Sequence, residues 1–164
     1  MVNKVGLITK FIRAWKGFRA FNAMETKSRT IVFYAEDGNT WEHFKPIIRV
    51  LIKDSEYPVC YLTSSLDDRV LEQKDSKIIP IFIGDGVWLN ILFRVLKAVV
   101  IIMTMPDLET FYLKRSFHPI HYVYIFHSMV STHMVYRKGA FDHYDSIFCV
   151  GPHHEAEIRQ TEKL

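Results

Sequence analysis

The alternation of apolar and polar positions changes character near residue 30. Through residues 5–22, Ile8, Phe11, Ile12, Trp15 and Phe18 recur at three- and four-residue spacing, which predicts an amphipathic helix weakened somewhat by Gly6 and Gly17. From residue 30 onward, short apolar runs alternate with helical segments. Thr30 to Ala35 is expected to be a strand ending in the acidic loop Glu36-Asp37-Gly38-Asn39. Thr40 can cap a helix from Trp41 to about Lys53, with Pro46 an irregularity near its first turns. Pro58 to Leu62 reads as a second strand, and Ser64 or Ser65 as the start of a helix through Leu71. Lys77 to Ile83 is a third strand whose Pro80 suits a sheet edge. A helix over Trp88 to Leu96 precedes the apolar strand Ala98 to Met103. Tyr122 to Phe126 is strand five, helical turns fall within Ser131 to Phe141, and Ser146 to Val150 is strand six. Gly151-Pro152 opens a final helix.

Short apolar strands separated by helices are the signature of a parallel sheet covered on both faces. The expected fold class is therefore α/β, an open doubly wound Rossmann-like sheet, because 164 residues are too few for an eight-unit barrel. The expected organisation is a basic amphipathic segment over 1–28 followed by one Rossmann-like domain over 29–164. Ligands in such sheets bind at the carboxyl ends of the strands. The loops to watch are Glu36 to Thr40, Ser64 to Asp67, Thr104 to Leu108, His127 to His133 and Gly151 to His154.

Composition sharpens this picture in three places. A hydrophobic content of 49% argues against disorder. Residues 1–29 carry seven Lys or Arg against one Glu, whereas the remainder carries 14 basic and 17 acidic groups. The body is thus not an obvious nucleic-acid binder, and the basic footprint is local. Large apolar residues with a purely basic polar complement over 1–22 suit an anionic membrane surface, or else a helix packed on the domain or on a partner. The two cysteines, Cys60 and Cys149, lie in apolar runs and read as reduced thiols. No signal peptide is convincing, and the longest apolar region is broken by Arg94 and Lys97, so a cytoplasmic protein fits best.

Candidate chemistry concentrates in histidines: seven of the eight fall between residues 118 and 154. His127 follows the apolar run Tyr122 to Phe126, where a strand becomes a loop, a suitable place for a general base; a core histidine bonded to backbone is the competing reading. Ser128, Ser131 and Thr132 can donate hydroxyls to a phosphate or cap the next helix. His153 and His154 fall in the first turn after Gly151-Pro152, where free N–H groups favour an anion, although capping by Glu155 explains much of the same pattern. Glu36 and Asn39 can bind polyol hydroxyls, or form only a solvated turn, and His43 can face the same cleft or the sheet. Lys114-Arg115 and Arg137-Lys138 are small basic pairs able to hold phosphate. Metal is disfavoured, because no H-E-x-x-H and no C-x-x-C is present. The absence of G-x-G-x-x-G and of a P-loop makes NAD and P-loop nucleotide hydrolysis poor bets, and no cofactor is called for. Ser128 lacks a nucleophile elbow and is not a hydrolytic nucleophile.

The tract YVYIFHSMVSTHMVYRKGAFDHYDSIFCVGPHHEAEI, together with Tyr34 to Pro46 and Met105 to Leu108, resembles the CDP-glycerol glycerophosphotransferase family of teichoic-acid polymerase and primase type. The resembling stretches span nearly all the body from residue 30. The resemblance implies a glycosyltransferase-B architecture of two Rossmann-like domains, of which this chain would be the N-terminal, acceptor-side one, stopping before the donor-binding domain. It implies that His127 is the base on the acceptor hydroxyl; family members commonly carry glycine at the next position, where this chain has Ser128. The implied donor is CDP-glycerol or a related CDP-polyol, and the implied acceptor a polyol phosphate or lipid-linked hydroxyl at the inner face of the cell membrane, in cell-wall or surface polymer synthesis. Two other readings stay open: half of a nucleotide-sugar glycosyltransferase or epimerase, and a non-catalytic module binding a membrane surface or a partner.

Overall fold

The computed structural model describes residues 4–111, 113–127 and 135–161. Six parallel strands form one sheet: β1 (Ile31–Ala35), β2 (Val59–Thr63), β3 (Ile78–Phe82), β4 (Val100–Met103), β5 (His121–Ile125) and β6 (Ser146–Phe148). Their order is β3-β2-β1-β4-β5-β6, so the chain winds one way from β1 and the other way from β4. The fold is α/β and Rossmann-like, as the alternation of strands and helices predicts. Its switch point lies between β1 and β4, whose registers align Phe33 with Ile102 and Tyr34 with Met103.

Burial on both sides explains the unbroken apolar strands. One face of β1 and β2 presents Phe33 and Tyr61, covered by Trp41, Phe44 and Ile48 of α2 (Thr40–Asp54). Phe33 and Phe44 meet edge to face with ring centroids 5.0 Å apart. The other face presents Val32, Tyr34, Cys60 and Leu62, covered by Phe21 of α1 (Lys4–Ala23) and by Leu89, Leu92 and Phe93 of α3 (Val87–Val95). A third cluster, Tyr124, Phe126 and Ile158, packs the last helix, α4 (Pro152–Thr161), beside β5 and β6. At the amino edge, Arg115 donates to Asp145 at 2.8 Å and Asp145 accepts the Tyr122 N–H at 2.7 Å, tying β5 to the start of β6.

Two local expectations need correction. The helix expected from Ser64 or Ser65 through Leu71 is absent; only a single 3-10 turn forms, at Arg69–Glu72. Ser64 is buried instead of capping, donating to the Gly84 carbonyl at 2.6 Å and bonding the Tyr34 hydroxyl at 3.0 Å. Asp68 then accepts the Val70 N–H at 3.0 Å, which fixes a tight turn too late for a full helix. Thr40 is not the cap of α2 but its first residue. The capping acceptor is Asp37, whose Oδ1 takes the backbone N–H of Asn39 at 2.8 Å and of Thr40 at 3.1 Å.

Helix α1 is joined to the body by packing. A Cβ built on Gly17 would stand 1.9 Å from the Phe82 carbonyl oxygen, so the absence of a side chain lets α1 lie against the end of β3. Ala14 and Phe21, three residues before and four after, are buried with it. Among the described residues, no helix is long and apolar enough to cross a membrane.

Candidate functional site

The carboxyl edge of the sheet gathers the side chains that can do chemistry. Glu36 ends β1, His43 stands in the first turns of α2, and His127 stands two residues beyond β5. The order β1-β4-β5 brings the last two together: the His43 and His127 rings are 6.0 Å apart between centroids, inclined at 63°. Both imidazoles are exposed to solvent. His43 also lines a cleft of about 680 Å³ formed by the loops after β1 and β2, with Asp37, Asn39, Glu42, Asp67 and Arg69. That volume is in the range of small-molecule sites.

The polar groups of this cleft differ in how far they are already engaged. Asp37 is held as the cap of α2, and Glu42 lies 3.6 Å from Lys45. Arg69 is exposed and positioned to receive an anion. Carboxylates and Asn39 around one guanidinium suit a hydroxyl-rich ligand carrying a single phosphate better than a polyanion. Burial, with Asp37 as a smaller second cause, raises the Glu36 carboxyl above the usual glutamate range. Behind it, burial and then the hydrogen bond from Tyr124 to Tyr136, 3.2 Å long, keep the Tyr124 phenol neutral far above neutral pH.

The loop after β4 closes the switch point. Asp107 and Glu109 adopt left-handed conformations with φ of 63° and 67°, uncommon for residues with side chains. Each is held by several bonds. Asp107 meets Arg137 at 2.5 Å and donates its N–H to the Ala140 carbonyl at 2.8 Å, while Glu109 accepts the Arg115 N–H. The Tyr144 hydroxyl donates to the Met105 carbonyl of the same loop.

The remaining histidines separate by position. His153 is exposed in the first turn of α4, whereas His154 is buried, its ring 4.1 Å from that of Phe126. His154 Nδ1 accepts the Val150 N–H at 3.3 Å, and its Nε2 has no partner. The turn thus offers outward only one of its two imidazoles, while the other lies beneath the residue preceding His127. His121 bonds Ser146 at 2.7 Å at the start of β5, and the His143 carbonyl accepts from Arg115, so both stand at the amino edge, away from the cleft. Lys114 donates to the Glu109 carbonyl, Arg115 to Asp145, and Arg137 to Asp107, leaving these basic groups committed within the fold. Ser128, Ser131, Thr132 and His133 lie outside the described residues. Among the described residues, no group of three His, Cys, Asp or Glu side chains is placed to hold a metal ion.

Arg69 is the member of the cleft that sequence reasoning missed. Its signal was available, since it closely follows the carboxyl-edge loop Ser64 to Asp67, but the helix expected through Leu71 put it within a helix rather than at the cleft. No family model matches the chain, and no curated protein or solved structure matches it either.

Proposed function

We propose that this domain is the acceptor side of a glycerophosphotransferase-like enzyme, which transfers glycerol phosphate from CDP-glycerol or a related CDP-polyol to an acceptor hydroxyl. His127 takes the proton from that hydroxyl as its oxygen attacks the β-phosphorus of the donor. The bond from the β-phosphorus to the bridging oxygen breaks, CMP leaves, and the proton stays on the imidazole. The observation that carries this reading is the His43–His127 pair over a polar cleft at the carboxyl edge of a parallel sheet. His43 orients the acceptor, Asn39 and Glu36 hold its further hydroxyls, and Arg69 takes its phosphate. Ser128, Ser131, Thr132 and His153 remain donor-phosphate candidates, whereas His154, buried against Phe126, is withdrawn from that role. Neutralising the departing CMP falls to a donor-binding domain facing this one. The same reading puts the protein at the inner face of the cell membrane, held peripherally through α1.

The test is transfer from radiolabelled CDP-glycerol to a polyol-phosphate acceptor by the complete enzyme, with CDP-ribitol and UDP-sugars alongside. His127→Ala should lower turnover by about 10²–10⁴ with an unchanged circular dichroism spectrum, the usual contribution of a positioned base. Unchanged turnover in that variant removes His127 from the mechanism. Preference for a UDP-sugar reassigns the domain to a glycosyltransferase.

A further inference from the structure

The inward face of α1 is not the one its sequence advertises. The residues buried against the body are Ala14, Gly17 and Phe21, with Phe18 half-buried beside them. Five large apolar side chains of the same helix, Leu7, Ile8, Phe11, Ile12 and Trp15, remain in solvent, from 62% exposed at Leu7 to 38% at Trp15. The half of α1 before Gly17 lies along the Gly84 to Gly86 loop and the start of α3, with Arg13 over the Phe82 ring.

Helix α3 adds a second stripe beside this one. Val87, Ile91 and Val95 recur every fourth residue and are each more than a third exposed. Trp88 joins the two helices, its ring 5.5 Å from Phe11 and 5.4 Å from Phe18. Between them runs an apolar groove of about 220 Å³ lined by Leu7, Phe11, Val87 and Trp88, with the 3.1 Å Lys10–Asp85 ion pair at its rim.

The charge around these stripes is predominantly basic, with Asp85 at the groove rim the acidic exception. Residues 4–23 contribute Lys4, Lys10, Arg13, Lys16 and Arg19, residues 87–97 contribute Arg94 and Lys97, and neither stretch contains an acidic residue. Apolar side chains flanked by a clear excess of cations complement a surface that is negative outside and apolar beneath.

We propose that α1 and α3 form one composite docking face for an anionic lipid bilayer, with the groove between them receiving a single acyl chain. This deepens the peripheral placement proposed above and rests on it, but not on the transfer chemistry. The occupant is a bilayer rather than a protein, since a strongly basic frame around large aliphatic and aromatic residues, broken only where Asp85 pairs with Lys10, matches a headgroup layer over hydrocarbon, and each exposed side chain can insert without a shaped partner. The difference from a free amphipathic segment is specific: α3, some eighty residues downstream of α1, supplies half of the contact.

The experiment is flotation of the full chain with vesicles of phosphatidylcholine alone or with 30% phosphatidylglycerol, paired with sedimentation velocity. The expected result is binding to the anionic vesicles only, weakened at least tenfold by 0.5 M salt. Both the α1 variant Leu7→Glu/Phe11→Glu and the α3 variant Val87→Glu/Ile91→Glu should lose binding at least tenfold while keeping the wild-type melting curve. Since no turnover is measured, failure here leaves the transferase reading untouched, and an inactive transferase can still bind. Absence of flotation overturns the proposal. So does loss in the α1 variant alone, which would reduce the face to a single helix. A concentration-dependent dimer broken by the same substitutions would assign the face to a second copy of the chain and overturn it equally.

Discussion

Helices α1 and α2 flank opposite faces of one sheet and resolve their apolar stripes in opposite ways. In α2 the stripe visible in the sequence is the buried one: Trp41, Phe44 and Ile48 face the sheet while Glu42 and Arg49 face solvent. In α1 most of the visible stripe, Ile8, Phe11, Ile12 and Trp15, faces solvent; only its Phe18 is half-buried, and the buried contact runs through Ala14, Gly17 and Phe21. Apolar periodicity identifies an amphipathic helix, but it does not identify which of two possible apolar stripes meets the body. Where a helix must approach a backbone carbonyl, small residues define the contact and large ones are displaced outward.

The largest expected effects test whether the two helices are equally part of the core. Phe21 and Phe44 are both fully buried. Phe21→Ala and Phe44→Ala should each lower unfolding free energy by about 3–5 kcal/mol in urea titration. If only the Phe44 variant is destabilised, α1 is an appendage and the comparison fails. The next effect is at Gly17. Gly17→Ala puts a methyl group against the Phe82 carbonyl, a backbone atom that cannot swing away, and should cost about 1–3 kcal/mol. An alanine normally favours a helix over glycine, so a stabilised variant would show that α1 stands off the sheet. Ile12→Ala, on the outward stripe, should change stability by no more than about 0.5 kcal/mol.

The cap of α2 separates the helices at a smaller scale. Asp37 Oδ1 holds the N–H groups of Asn39 and Thr40 and so fixes the loop that carries the candidate site. Asp37→Ala should cost about 1 kcal/mol by chemical denaturation. It should also broaden the His43 imidazole resonances in NMR spectra as the start of α2 loosens; sharp, unshifted resonances would mean that the loop is held by something else.

What could be read from the chain follows from the same contrast. Strands such as Val59–Thr63 are buried on both faces, so their whole length is apolar and their identity shows in any window. The position of His127 at a carboxyl edge was legible because it immediately follows such a run. Its pairing with His43 was not, since that depends on β4 lying between β1 and β5, a long-range choice that leaves no trace in local spacing. The segment after β2 misled because Ser64 looks like a helix cap, yet it is spent on the Gly84 carbonyl twenty residues away. Arg69 was overlooked with it. A tertiary hydrogen bond redirected Ser64, and with the helix gone Arg69 fell in the cleft; neither outcome is visible until the neighbouring strand is known.

The smallest effect concerns Glu36, in the loop between β1 and α2. Burial first and the Asp37 charge second raise its carboxyl above the ordinary glutamate value of 4.5. In the unfolded chain the group titrates near that ordinary value, so it loses its proton at a lower pH than the folded protein does. Across the window between the two values the unfolded state binds fewer protons, and folding stability falls as pH rises. Below the window, where both states are protonated, the group contributes no penalty. Glu36→Gln has no carboxyl to titrate and escapes the loss. Its melting temperature relative to wild type should therefore be lowest near pH 4, rise through the window and hold a plateau at pH 7. A flat difference would place Glu36 in bulk solvent, and a falling one would mean that its carboxylate is stabilised by a cation. Adding Asp37→Asn to the wild type should narrow the window without abolishing it, because burial is the larger cause and remains.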